Sequence, residues 1–163
     1  MRKEDKNVII EKIIEENLDY LVRFAFYRLR NKQDAEDIVY DAVLKFLKLN
    51  TTKINNTSLR LYLFKIVYNL CIDKMKRQSV EYVPINEVEI HDNQEIIEEI
   101  LPKNIWNMIE KLHYKESEII VMRVLDELSF VEISRILSVP QSTVKSRYKA
   151  GMDKLREMLK QNK

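Results

Sequence analysis

Two small helical domains joined by an acidic flexible linker, an all-α fold, is what this sequence predicts, on three observations. Glycine occurs once and proline three times in 163 residues, and strands and tight turns need more punctuation than that. Apolar residues recur at helical spacing along most of the chain. The net charge of +2 also divides into blocks. Residues 1–77 carry 16 basic and 11 acidic side chains, residues 78–101 carry 7 acidic and no basic ones, and residues 102–163 carry 12 basic and 8 acidic ones. Two basic blocks around an acidic one fit two anion-binding modules with a repelling link between them. Solvated surfaces of uneven charge give the same count.

In order along the chain, residues 8–30 place Ile9, Ile13, Ile14, Leu18, Leu21, Val22, Ala25, Phe26 and Leu29 at helical spacing, with Asn17 expected to mark a break between two helices. A second helix is expected from Asp34, which can cap it with Asp37 three residues on. Ile38, Ala42, Val43, Phe46 and Leu47 make its apolar stripe. The run Asn-Thr-Thr-Lys-Ile-Asn-Asn-Thr at 50–57 reads as a loop. Ser58 is expected to cap a third helix to about residue 77, with Leu59, Tyr62, Leu63, Ile66, Val67, Leu70 and Met75 facing its core. These three helices make a first domain, 1–77.

Residues 78–99 show no sustained period and contain Pro84, so 78–101 reads as the linker, with a short helix expected near 94–100. Fully extended, residues 78–99 reach about 70 Å. The second domain, 102–163, opens at Pro102, a residue suited to a first helical turn. Ile105, Trp106, Ile109 and Leu112 follow at helical spacing, His113-Tyr114-Lys115 reads as a turn, and 116–125 as a second helix. Ser129-Phe130-Val131-Glu132 is a capping box that opens a third, short helix. Ser138-Val139-Pro140 ends it, and Ser138 or Gln141 is expected to cap a long last helix to about residue 160.

Several classes of function are excluded by composition. One cysteine, Cys71, rules out a disulfide framework and a thiolate metal cluster; among apolar neighbours it reads as a small buried hydrophobe. A lone thiol fits a reducing cytoplasm. His91 and His113 are isolated from other metal-type ligands. No phosphate-binding glycine loop or nucleophile motif occurs. Neither enzymatic activity nor a cofactor nor a metal is expected. No apolar run has the length of a membrane span, and Met1-Arg2-Lys3-Glu4-Asp5 shows no signal-peptide core.

The chemistry lies at 128–160. A short helix, a tight turn and a longer helix with a basic face are the parts of a helix-turn-helix. From Lys145 onward the chain carries seven basic and two acidic residues. Its early exposed positions are Gln141, Ser142, Thr143, Lys145, Ser146, Arg147 and Lys149. Arg and Lys pair with guanine edges or phosphates, Gln with adenine, and Ser and Thr hydroxyls with phosphate oxygens. The bland alternative is a solvated amphipathic helix that only packs.

Three stretches carry a family resemblance. Leu128-Ser129-Phe130-Val131-Glu132-Ile133-Ser134, followed by Val139-Pro140-Gln141-Ser142-Thr143-Val144-Lys145-Ser146-Arg147, resembles the C-terminal domain of bacterial sigma factors, of which the two-domain extracytoplasmic function (ECF) group is the most similar. Asp34-Ala35-Glu36-Asp37-Ile38-Val39 resembles that family's polymerase-binding helix, and the run from Tyr62 to Asp73 its promoter −10 helix. Tyr62 stands where the family usually has Trp, Tyr40-Asp41 where it has Gln-Glu, and Ser142 where Gly is frequent.

The resemblance implies a protein that binds RNA polymerase core, at the clamp of the largest subunit and the flap of the second-largest, and directs it to promoter DNA. Core binding falls to Asp34, Asp37, Tyr40, Asp41 and Lys45. For Asp34 and Asp37, favourable placement at a helix N-terminus is a second, compatible explanation. The −10 element falls to the loop residues Asn55 and Asn56 with Asn69, Asp73, Lys65, Lys74, Lys76 and Arg77; an exposed helical Asn and a solvated basic face are the alternatives there. The −35 element falls to Gln141, Ser142, Thr143, Lys145, Ser146, Arg147 and Lys149. The two elements lie about 70 Å apart, two duplex turns, which the linker spans. An anti-sigma partner is also implied, together with a monomer when free of partners. A stand-alone helix-turn-helix regulator would have no use for the N-terminal motifs, and a purely protein-binding helical adaptor none for the basic recognition helix.

Overall fold

A computed structural model describes residues 2–49, 55–80 and 101–162. Among these there are seven helices and no strand, so the all-α expectation holds. The chain divides into two compact units, residues 1–88 and 89–163. The short helix expected near 94–100 lies outside the described residues.

The first unit is a bundle of α1 (Lys3–Leu29), α2 (Lys32–Leu47) and α3 (Asn56–Val80), each packed on the other two. Asn17 does not break α1. It is buried; its Nδ2 donates to the Ile13 carbonyl at 2.7 Å and its Oδ1 accepts from Arg60 Nε of α3 at 2.9 Å. With both ends of the amide satisfied, the helix runs through. It stops at Arg30, whose left-handed backbone (φ 54) lets its N–H reach the Phe26 carbonyl.

The caps differ from expectation by a few residues. Asn31, not Asp34, caps α2, its side chain accepting from Asp34 N at 2.9 Å. Asn55, not Ser58, begins α3, accepting from Ser58 N at 2.8 Å. In both cases Asn sits where the chain is still extended or entering the helix, the position from which a side-chain oxygen reaches the third N–H. α3 continues to Val80.

The bundle core consists of Leu21, Phe24 and Ala25 of α1, Ile38, Val39, Ala42 and Phe46 of α2, and Leu59, Leu63, Phe64, Val67 and Cys71 of α3. Phe24 meets Phe64 edge to face at 5.4 Å; each such ring is worth ~1.5–3 kcal/mol of burial. Tyr62 and Met75 were expected in this core but are exposed. Tyr62 is one position round the helix from the buried Leu63, and Met75 lies a turn beyond Cys71, the last buried residue of α3.

The second unit holds α4 (Lys103–Glu110), α5 (Tyr114–Val124), α6 (Phe130–Leu137) and α7 (Gln141–Gln161). The expected turn at His113-Tyr114-Lys115 is the start of α5, capped by His113 Nδ1 accepting from Lys115 N. Trp106, Ile109, Leu112, Ile119, Ile120, Met122, Leu128, Ile133, Ile136 and Val144 form the core. The capping box at α6 is present: Ser129 Oγ accepts from Glu132 N at 3.1 Å, and the Glu132 carboxylate accepts from Ser129 N at 2.8 Å. α6 ends on Ser138 in the left-handed region, φ 56.

Pro140, between the two expected residues, is the cap residue of α7, and its carbonyl accepts from Thr143 and Val144 N–H. α7 lies against α5 at Gly151, the only glycine in the chain. A Cβ there would stand 2.6 Å from Ile120 Cδ1 and 3.2 Å from Glu116 Cβ. Beside this contact Lys154 Nζ binds both Glu116 carboxylate oxygens, at 2.8 and 2.9 Å.

Candidate functional site

Val144, Gly151 and Leu155 are buried along one side of α7. Helical periodicity therefore turns the opposite side outward, and Gln141, Ser142, Lys145, Ser146 and Lys149 are exposed there. Thr143 and Arg147 are half-buried at its edge. The Ser146 hydroxyl donates to the Thr143 carbonyl at 3.1 Å, leaving its lone pairs free to accept. The first turn of α7 has no acidic residue, so the positive end of the helix dipole is uncompensated.

α6 is held against α7 by aromatic contacts. Phe130 packs edge-on against Tyr148 at 5.2 Å. The Arg123 guanidinium lies over Phe130 at 5.1 Å and donates to the Leu128 carbonyl. The angle at which α7 presents its polar face is thus fixed by packing on both α5 and α6.

In the first unit the structure divides one group of expected residues. Asn69, Asp73 and Lys76 are exposed, and Lys65 half-buried, on one outward side of α3. Lys74 and Arg77 face elsewhere. They line an open groove between α2 and α3 of about 660 Å³, together with Ile38, Asp41, Leu44, Lys45, Lys48, Leu70 and Gln78. Lys74 Nζ also pairs with Asp34 at 2.9 Å. Residues expected to touch DNA and residues expected to touch polymerase therefore share this groove. Asn55 is exposed, but its carbonyl is engaged as the α3 cap. Asn56 opens α3, and the loop residues 50–54 lie outside the described residues.

On α2, Asp37, Asp41 and Lys45 are exposed and Asp34 is partly covered. Tyr40 is 65% exposed, with Leu44 and Leu47 also open to solvent. Leu44, Leu47, Lys48 and Leu70 were not expected at a functional surface. Leu47 was expected on the apolar stripe with Ile38 and Phe46 but is exposed; with Tyr40 and Leu44 it falls at i, i+4 and i+7, an apolar row open to solvent beside the buried Ile38, Ala42 and Phe46. An amphipathic rim with charged flanks is suited to docking a protein helix.

Cys71 is buried, and burial pushes its thiol up from the ordinary 9.0 to about 11, opposed by the nearby charges of Arg28 and Lys74. It is not a nucleophile at neutral pH. Among the described residues no cluster of His, Cys, Asp or Glu has the makings of a metal site, and no helix is long and apolar enough to cross a membrane.

Comparison with known proteins assigns both units. Sigma-70 region 2 matches residues 13–80 and sigma-70 region 4 matches residues 108–157. The chain is 28% identical over 176 aligned positions to the ECF RNA polymerase sigma factor SigW of Bacillus subtilis, covering 98% of this chain and 93% of that protein. It is 24% identical to the RNA polymerase sigma factor SigV of the same organism, covering 97% and 95%. Among solved structures, the sigma factor RpoE in complex with the anti-sigma factor NepR from Bartonella quintana has the same fold, with a TM-score of 0.67 at 20% identity, over 92% of this chain and 96% of that one. The chain belongs to the sigma-70 family, in its two-domain ECF group, and acts in transcription as an RNA polymerase sigma factor that recognises promoters.

Proposed function

We propose that the two units divide promoter recognition between them, and that the exposed polar face of α7 is the observation that carries this reading. Gln141, Ser142, Thr143, Lys145, Ser146, Arg147 and Lys149 read the −35 element in the major groove. Five of the seven stand on the outward side of α7, and Thr143 and Arg147 flank it. In the first unit Asn69 takes a base edge of the −10 element, with Asp73, Lys65 and Lys76 on the same side of α3 and Asn55 and Asn56 at its start. Lys74 and Arg77 reach phosphates from the groove rim.

The α2 face is the polymerase dock. Asp34, Asp37, Tyr40, Asp41 and Lys45 meet the clamp of the largest subunit, and the open stripe of Leu44 and Leu47 adds apolar contact area. The second unit meets the flap of the second-largest subunit. Residues 78–101, acidic throughout, join the units and avoid DNA in the free protein. The protein catalyses nothing itself, works in the cytoplasm and is a monomer without its partners. An anti-sigma factor, such as the RpoE relative has, would block it by covering α2 and α7 together.

In vitro transcription with purified core polymerase and a random promoter library tests this reading. Promoter-dependent transcripts with paired −35 and −10 sequences are expected. A protein that shifts a duplex alone, yet supports no transcript with core, is a stand-alone regulator and overturns the division of labour.

A further inference from the structure

The outer side of α1 carries a pattern that promoter recognition by α3 and α7 does not use. Tyr20, Arg23 and Tyr27 fall at i, i+3 and i+7, one narrow stripe of α1, and Arg30 follows as its left-handed C-cap. All four are half-exposed. The Arg23 guanidinium lies over the Tyr20 ring at 4.8 Å, and that of Arg30 over the Tyr27 ring at 5.0 Å. From residue 20 to residue 33 the chain has four basic side chains and no acidic one. Stripes of rings alternating with guanidiniums, on a locally cationic helix, are complementary to a strand of unpaired bases on a phosphate backbone.

The stripe also lies beside the α3 surface. Asn17 and Phe24 of α1 face α3, through Arg60 and Phe64. The Arg28 guanidinium stacks over Phe24 at 3.7 Å and over Tyr68 of α3 at 5.3 Å, closing the seam between the two helices. Ala25 and Phe26 are buried elsewhere on α1. Tyr20 and Tyr27 stand at i−4 and i+3 from Phe24, next to it on the surface of α1. On α3 the groove with α2 takes Leu70, Lys74 and Arg77, so Lys65 and Asn69 lie on the side away from α2. The two surfaces border one seam. Tyr20 and Tyr27 are about 10 Å apart along the helix, close to three base rises of ~3.4 Å.

We propose that this stripe is a second contact for single-stranded promoter DNA, with bases stacked on Tyr20 and Tyr27 and phosphates held by Arg23 and Arg30, extending the path of the strand that α3 takes up. The inference rests on the reading of the outer side of α3 as the −10 surface.

The test uses holoenzyme reconstituted from core polymerase and the full chain. The probe is a promoter selected from a random library by the wild-type holoenzyme, presented as duplex and with a pre-melted heteroduplex bubble. Replacing both tyrosines (Tyr20→Leu with Tyr27→Leu) is expected to shorten complex lifetime on the bubble template by roughly ten- to a hundred-fold, with duplex binding and core affinity unchanged. Tyr20→Phe with Tyr27→Phe retains stacking and keeps the lifetime. Arg23→Gln with Arg30→Gln lowers the slope of log affinity against log salt on the bubble template by ~1.4, the value for two single-strand phosphates.

Circular dichroism checks that each variant is folded. An unchanged bubble lifetime in the leucine variant overturns the proposal. So does an equal loss on duplex and bubble, which marks a duplex contact, or a loss of core binding, which marks a protein contact. Asn69→Ala in parallel separates the two readings. An Asn69 effect with silent tyrosines sinks only the stripe, and a silent Asn69 sinks the α3 assignment.

Discussion

Asn17 sits in the middle of a 27-residue helix, at a position that favours a polar break on sequence grounds. Its amide spans two helices instead, donating within α1 and accepting from Arg60 of α3. The donor that makes this possible is 43 positions away, and no local pattern points to it. Asn17→Ala leaves a part-buried Arg60 Nε–H without this acceptor, and should cost about 1–3 kcal/mol, measured by urea unfolding. A change below a few tenths would show the bridge to be dispensable. Cys71 was legible as a core residue, because its neighbours at helical spacing are apolar. Its raised pKa adds a pH dependence: the thiol stays protonated in the folded state up to about 11 but ionises near 9.0 when unfolded. The unfolded chain therefore holds fewer protons between these values. The contribution is complete below pH 9 and is lost as pH rises towards 11. Cys71→Ala should flatten the decline in melting temperature over that window.

At the scale of the element, α6 was the easiest to read and the starts of α2 and α3 the hardest. The α6 capping box closes within four residues, Ser129 to Glu132, so its partners are visible side by side. The starts of α2 and α3 each offer two capable residues three positions apart, Asn31 or Asp34 and Asn55 or Ser58. The choice falls where the chain leaves the extended conformation, and for α2 that depends on the left-handed Arg30 just before it. The turn into α6 holds another left-handed residue, Glu127, at φ 54. A side chain there is strained, since only glycine adopts that region freely. Glu127→Gly should raise the stability of the second unit by about 0.5–1 kcal/mol, read as an upward shift of its thermal midpoint. A lower midpoint would mean that the Glu127 side chain holds the turn.

For the whole molecule, the sequence reading reached the all-α class and the helix-turn-helix, because periodicity and capping are local signals. The division of surfaces in the first unit was not legible. Lys74 and Arg77 resemble Lys65 and Lys76 in type and spacing. Only the packing of α3 on α2 turns the first pair into the groove and leaves the second outside. Exposed Tyr62 was missed because a one-residue step separates it from Leu63, and an aromatic residue on that step reads as core. If the units contribute separately to promoter choice, Arg147→Ala and Asn69→Ala should act on different elements. Arg147→Ala should cost about 1–3 kcal/mol on promoters with a matched −35 sequence and nothing on those with that sequence scrambled, in quantitative transcription assays. Asn69→Ala should weaken discrimination among −10 variants and leave core binding intact. A loss of core affinity in Arg147→Ala would place α7 on polymerase rather than on DNA.

The close approach at Gly151 has a bearing on how far α7 can reach. The recognition helix rests on Ile120 and Glu116 at the point where it lacks a side chain. On the proposed reading of α7, its depth in a DNA groove is set by a missing methyl on one helix and a terminal methyl on another, like a shim under a lever. Gly151→Ala inserts the shim. Overpacking against the buried Ile120 costs ~1–3 kcal/mol, the better helix propensity of Ala returns ~1, and a net loss of about 1 kcal/mol with weaker −35 binding should follow. Ile120→Val removes the opposing Cδ1, so the double variant should recover binding that each single change loses. On that view positions 120 and 151 act as one adjustable unit, by which a sigma factor of this kind tunes its grip on a promoter without altering any residue that touches it.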